Sequence, residues 1–289
     1  MENSIFAVLL PLVLGIIMFG LGLSLTIEDF KRIILYPKAV FIGLFCQMLV
    51  LPVLCFIIAT SLNLSPVIAV GLMLLSASPG GATANLYSHL ANGDVALNVS
   101  LTAINSVLTL FTLPFIVNFS INYFMKSNEV VPMQIKDVIE VFSIVLIPVA
   151  CGMMLKSKLP PRSERIEKYG KIIPAVFLIA IITGAIIKER GKIASSIEQI
   201  GLAVLALNVI SMTIGYYTPK LFKLEKKQAI AIGMEIGIHN CMLAMFIAGS
   251  VLKNDEMTFP AAIYTIIMFF TAAAFGLLVN MRTKNIKTS

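Results

Sequence analysis

The side chains of this 289-residue protein that are able to do chemistry lie inside apolar sequence. The segment AIAIGMEIGIHNCMLAMF sets Glu235, His239 and Asn240 beside Gly233 and Gly237. An acid at mid-membrane costs roughly 2.5–3.5 kcal/mol on insertion scales, so it persists where it has a partner or a task. A structural Glu–His pair is the plain alternative. A second segment, GLMLLSASPGGATANLYSHL, sets Pro79, Gly80 and Gly81 ahead of Thr83 and Asn85. Asn98, Thr102, Asn105 and Thr109 then recur at spacings of four, three and four, which is one face of a helix. Alone, such a face reads as hydrogen bonding between membrane helices. Beside a buried glutamate it reads as amide and hydroxyl oxygen for a hard cation such as sodium.

Other chemistries lack their residues. There is no HExxH, no paired-aspartate motif for a diphosphate and no serine–histidine constellation, so an enzyme is not expected. Cys46, Cys55, Cys151 and Cys241 sit in apolar runs without metal-ligand spacing and read as buried reduced thiols. The net charge of +7 does not indicate nucleic acid, because no basic patch interleaves with stacking aromatics.

The elements that position these residues must be membrane helices. The chain is 58% hydrophobic and 13% charged, about half the charged content of a soluble domain. A bilayer-spanning helix needs about 20 mainly apolar residues, since only bonding within the segment satisfies its backbone in lipid. Nine segments qualify, near 4–25, 36–61, 66–91, 94–124, 134–156, 167–188, 195–219, 226–252 and 257–282. They form one all-α polytopic domain over 1–289. The opening MENSIF carries an acid and no base, which does not read as a cleaved signal. Sixteen of the 22 lysines and arginines collect on one side, in the groups Lys31–Lys38, Lys156–Lys171, Lys220–Lys227 and Arg282–Lys287. Positive charge favours the cytoplasmic side, so the C-terminus is expected in the cytoplasm and the N-terminus outside a plasma (inner) membrane.

Spans three and eight are expected to be broken. Pro79 removes a backbone donor, paired glycines add backbone freedom, and lipid cannot satisfy the groups that unwinding releases. Interrupted spans at corresponding positions in two halves of a carrier mark a binding site. Half-helix N-termini suit an anion, whereas unwound carbonyls and C-terminal ends suit a cation.

The motifs LGIIMFGLGLSL (Leu14 to Leu25) with DFKR, Gln47 ahead of a proline, PGGATAN with NGDVALNVSLT, and EIGIHN are long and ordered along nearly the whole chain. Together they resemble the bile acid:sodium symporter family. The resemblance implies two inverted repeats, about 1–125 and 134–282. It also implies a panel domain of spans one, five and six beside a core in which two broken helices cross. Family members often have ten helices, and this chain looks like one lacking the first.

The resemblance also implies the ligands. For one sodium ion the matching positions are Asn85, Thr102 and Glu235. Ala84 stands where a serine is expected, and Asn98 replaces another serine with an amide. For a second ion they are Gln47 and Glu235, with the backbone of Ile236 and Ile238. His239 replaces a glutamine there, so one or two sodium ions remain open. Histidine changes charge near physiological pH, which leaves two alternatives for His239: the ring turns away from the ion, or coupling follows pH. The substrate, a small carboxylate of bile-acid-like or pantoate-like kind, is expected beside Asn240 and the backbone of Gly81, Ala82 and Thr83. Asn208 would line the cavity or serve helix packing, and His89 would lie at the interface. The expectation is a monomeric sodium-coupled symporter that works by alternating access. The alternatives are an efflux permease using Cys241 as a soft ligand, or a proton-coupled carrier.

Overall fold

The computed structural model describes residues 2–125, 132–158 and 190–287. Among the described residues every regular element is a helix, and the one β-type pairing joins Gly80 to His239. The helices are α1 (Glu2–Ser24), α2 (Ile27–Leu35), α3 (Pro37–Phe45), α4 (Leu51–Ser61), α5 (Pro66–Ala77), α6 (Thr83–Leu90), α7 (Val95–Phe124), α8 (Ile135–Lys158), α9 (Arg190–Leu221), α10 (Lys226–Gly237), α11 (Cys241–Phe246) and α12 (Phe259–Lys287). Five continuous stretches are long and apolar enough to cross a membrane: Pro37–Ser61, Val95–Phe124, Ile135–Lys158, Ile200–Leu221 and Glu256–Met281. Shorter apolar helices, Leu10–Ser24, Pro66–Ala77 and Cys241–Val251, complete an all-α polytopic membrane protein. The expected sixth span, 167–188, lies outside the described residues.

Local sequence explains the departures from straight helices. α3 runs into α4 through a π turn, Cys46–Val50. Pro52 follows directly and has no amide to continue the regular ladder, so the helix widens beforehand and turns Gln47 into the interior. A matching π turn, Ile247–Val251, follows α11. Between α1 and α3 the short α2 is set by Asp29, whose carboxylate accepts from the Thr26 backbone N–H at 2.8 Å and hydroxyl at 2.7 Å.

Two packed groups result. α1 lies along α8 at glycine contacts, where a Cβ at Gly22 would collide with the Val149 carbonyl and one at Gly152 with that of Phe19. Small residues let membrane helices approach this closely. α7 lies between α5 and α10, and α9 covers α10 and α12. Cys46, Cys55 and Cys241 are buried as expected, but Cys151 is exposed. It lies on the outer surface of α8, whose apolar residues face the surroundings rather than a protein core.

Polar contacts tie several helix ends together. Lys156 Nζ donates to the Ser24 carbonyl at 2.9 Å, and Asp94 N donates to the Lys227 carbonyl at 2.9 Å. Lys226 Nζ donates to the Val279 carbonyl at 2.6 Å, and Asn92 donates to Asn280 at 3.3 Å. Lys156 thus closes the end of α8 on the end of α1, and Lys226 and Lys227 tie the start of α10 to the end of α12 and the start of α7.

Candidate functional site

α5 stops at Ala77 and the chain resumes as α6 at Thr83. Proline disfavours the helical region for the residue before it, and Ser78 is accordingly extended, with φ −73° and ψ 147°. The second break separates α10 from α11, with Ile238 extended at φ −118° and ψ 100°. Asn240 caps the new helix, its Oδ1 accepting from Leu243 N at 3.1 Å.

The two breaks cross and satisfy each other. Gly81 N donates to the Ile238 carbonyl at 2.7 Å, and Asn240 N donates to the Pro79 carbonyl at 2.8 Å. Backbone groups that neither helix nor lipid satisfies are thus paired across the crossing. Two further carbonyls are held by side chains. Ser78 O accepts from Gln47 Nε2 at 2.9 Å and faces His239 Nδ1 at 3.2 Å. A carbonyl only accepts, so Nδ1 carries the imidazole hydrogen. Gly237 O accepts from Asn208 Nδ2 at 2.7 Å and from the Tyr264 hydroxyl at 3.0 Å. The Tyr264 ring also meets the His239 ring edge-on, with centroids 5.3 Å apart.

Glu235 lies under the crossing and is 1% exposed. Thr102 Oγ1 donates to its Oε2 at 2.6 Å, and Asn105 Nδ2 donates to its Oε1 at 2.9 Å. Gly80 closes over the carboxylate so tightly that a Cβ there would collide with it. Asn98 Nδ2 donates to the Ala231 carbonyl at 2.8 Å, which ties α7 to α10 one turn below the acid.

The acceptors left over define the site. The side-chain oxygens of Gln47, Asn85, Asn98, Asn105 and Asn208 are buried without a hydrogen-bond partner, and so is His239 Nε2. Most buried polar atoms find a partner, so this cluster needs a reason. Gln47, Asn98, Asn105 and Asn208 use their amide N–H groups as donors and leave their oxygens open. Amide oxygens and a carboxylate are the donor types that a hard cation takes, although Asn105 presents its N–H and not its oxygen to Glu235.

The sequence-derived residues take distinct places. Glu235 and Thr102 are in direct contact, Asn98 is one turn away on α7, and Gln47 and His239 meet at Ser78 O. Ile236 is buried on α10, and the Ile238 carbonyl is engaged by Gly81. Ala84 is fully buried at the start of α6, its N–H bonded to Gly81 O. Beside the crossing, Gly81 is buried, Thr83 half-buried and Ala82 exposed. Asn240 Nδ2 lies 4.0 Å from Met18 Sδ, which brings α1 to the crossing. Asn208 is buried against Gly237 and Tyr264, and His89 is exposed near the end of α6. The direct contact of Asn105 and the roles of Ser78 and Tyr264 are not apparent in the sequence. Asn105 shares the polar face of α7, whereas Tyr264 is a lone tyrosine in an apolar run and gives no signal.

Membrane helices broken in pairs and crossed within the bundle recur in secondary transporters. The family model described as the sodium bile acid symporter family matches residues 11–196, and the chain belongs to that family. Its relatives include a probable chloroplastic sodium/metabolite cotransporter of Oryza sativa subsp. japonica, 27% identical over 262 residues, covering 90% of this chain and 61% of the relative. A sodium-dependent transporter of Bacillus subtilis (strain 168), YocS, is 28% identical over 254 residues, covering 88% of this chain and 77% of that one. The ileal sodium/bile acid cotransporter of Mus musculus is 26% identical over 287 residues, covering 97% and 81%. The chain thus spans about three-fifths of the length of the plant relative.

Proposed function

We propose that this protein couples the movement of sodium to uptake of a small organic anion by alternating access. The observation that carries the reading is the buried Glu235 carboxylate at the helix crossing, held by Thr102 and Asn105, in a core where the amide oxygens of Gln47, Asn85, Asn98 and Asn208 are buried without a hydrogen-bond partner. Sodium is a substrate here. Glu235, Thr102, Asn98 and Asn85 would hold one ion, and Gln47 with Glu235 and the backbone of Ile236 and Ile238 would serve a second. The carboxylate of the organic substrate would meet Asn240 and the backbone of Gly81 to Thr83, where α6 begins.

Coupling follows from shared structure. Residues on both sides of the crossing contribute to the ion position, so an occupied ion position favours the geometry that presents Asn240 and Gly81. By linkage, the anion then strengthens sodium binding by the same factor. The α1–α8 pair would belong to the panel and the crossed helices to the core, with repeats over about 1–125 and 134–282. A monomer in the inner membrane, with the basic end of the bundle in the cytoplasm, completes the proposal.

The test is a screen of small carboxylates by thermal unfolding of purified protein in sodium or potassium chloride, followed by uptake of any hit into proteoliposomes. Binding and uptake that require sodium are expected. Binding and uptake that are equal in potassium would overturn the reading.

A further inference from the structure

Asn105 lies on α7 one turn beyond Thr102, and its side chain is fully buried. Its Nδ2 donates to Glu235 Oε1 at 2.9 Å, while Thr102 donates to Oε2 at 2.6 Å. Each carboxylate oxygen therefore has one donor from α7. A cation that binds the carboxylate must share or displace them.

The two donors differ in what they offer an ion. Thr102 Oγ1 is also 3.0 Å from the Asn98 carbonyl, so its hydrogen has a second acceptor and its lone pair can turn to a cation. An amide N–H has no lone pair to give. Asn105 becomes a ligand only if its side chain turns over, and that places its oxygen against a negative carboxylate unless a cation already lies between them. The hydrogen bond to Glu235 fixes the amide the other way.

We infer that Asn105 is a positioning residue that acts against sodium. It supplies a charge-assisted hydrogen bond to Glu235 Oε1 when the ion leaves, beside the donors Thr102 and the Gly80 backbone N–H. Ion release, and the return of the carrier without sodium, are favoured by this bond. The unpartnered oxygen of Asn105 is then the cost of the orientation. This inference rests on Glu235 being the ion site.

Equilibrium binding and dissociation of radiolabelled sodium from purified protein test it. Asn105→Leu keeps the volume of the side chain and removes donor and acceptor together. Asn105→Ala gives the same readout if the leucine variant does not fold. The half-saturating sodium concentration should fall about tenfold in the variant, with a comparable slowing of dissociation, since a charge-assisted hydrogen bond no longer competes with the ion. A purely structural role would lower the unfolding temperature and leave sodium affinity unchanged, and that result overturns the inference. Weaker sodium binding would make Asn105 a ligand and overturn it too. Absence of sodium binding by the unaltered protein would overturn both this inference and the ion-site reading, which separates the two failures.

Discussion

The break between α5 and α6 and the break between α10 and α11 are made by different means. The first is a product of its own backbone: Pro79 withholds an amide, Ser78 is driven to extended geometry, and Gly80 has no side chain to obstruct Glu235. The second contains no proline. Its open Gly237 carbonyl is held from outside by Asn208 on α9 and Tyr264 on α12, and it supplies the charge. One break provides room and the other provides the acid, so neither makes a site alone.

That division can be broken at graded cost. Gly80→Ala should have the largest effect, because its Cβ has no place except on the Glu235 carboxylate. Overpacking costs typically 1–3 kcal/mol, and here the displaced group is the ion site itself. Sodium-dependent stabilisation should disappear even if the variant folds, as thermal unfolding in sodium and potassium would show. Asn208→Ala comes next. It leaves Gly237 O with Tyr264 as its one side-chain donor and should cost about 1–3 kcal/mol, read as a lower unfolding midpoint. Tyr264→Phe removes a hydroxyl but keeps the ring against His239, and a loss of about 1 kcal/mol is expected. Cys151→Ala, on the exposed surface of α8, should stay within about 0.5 kcal/mol of the unaltered protein. If Asn208→Ala and Tyr264→Phe were as mild as Cys151→Ala, the second break would not depend on outside help.

The same difference decides what the sequence discloses. Pro79, Gly80 and Gly81 announce the first break because backbone chemistry is local and residue types carry it. Glu235 and His239 announce the second because charge is conspicuous in an apolar span. The partners that hold the breaks are not local. Gln47 reaches Ser78 O across 31 residues, and Asn208 reaches Gly237 across 29. The face of α7 is periodic and therefore visible, but the contact of Asn105 with Glu235 spans 130 residues and depends on how α7 meets α10. Cys151 reads as buried in the sequence yet is exposed, because apolar sequence looks alike whether it faces protein or lipid. In water the two are distinguished by polarity, and in a membrane they are not.

The central claim is that Glu235 and the open amide oxygens around it receive sodium. The most direct measurement is the unfolding midpoint of purified protein and of Glu235→Gln, each titrated with sodium chloride against potassium chloride at constant ionic strength. A ligand that binds the folded state alone stabilises it in proportion to the logarithm of its concentration above the dissociation constant. Stabilisation of the unaltered protein by sodium and not potassium, lost in Glu235→Gln, is the predicted result. Equal stabilisation by the two ions, or a sodium response that survives in Glu235→Gln, would contradict it.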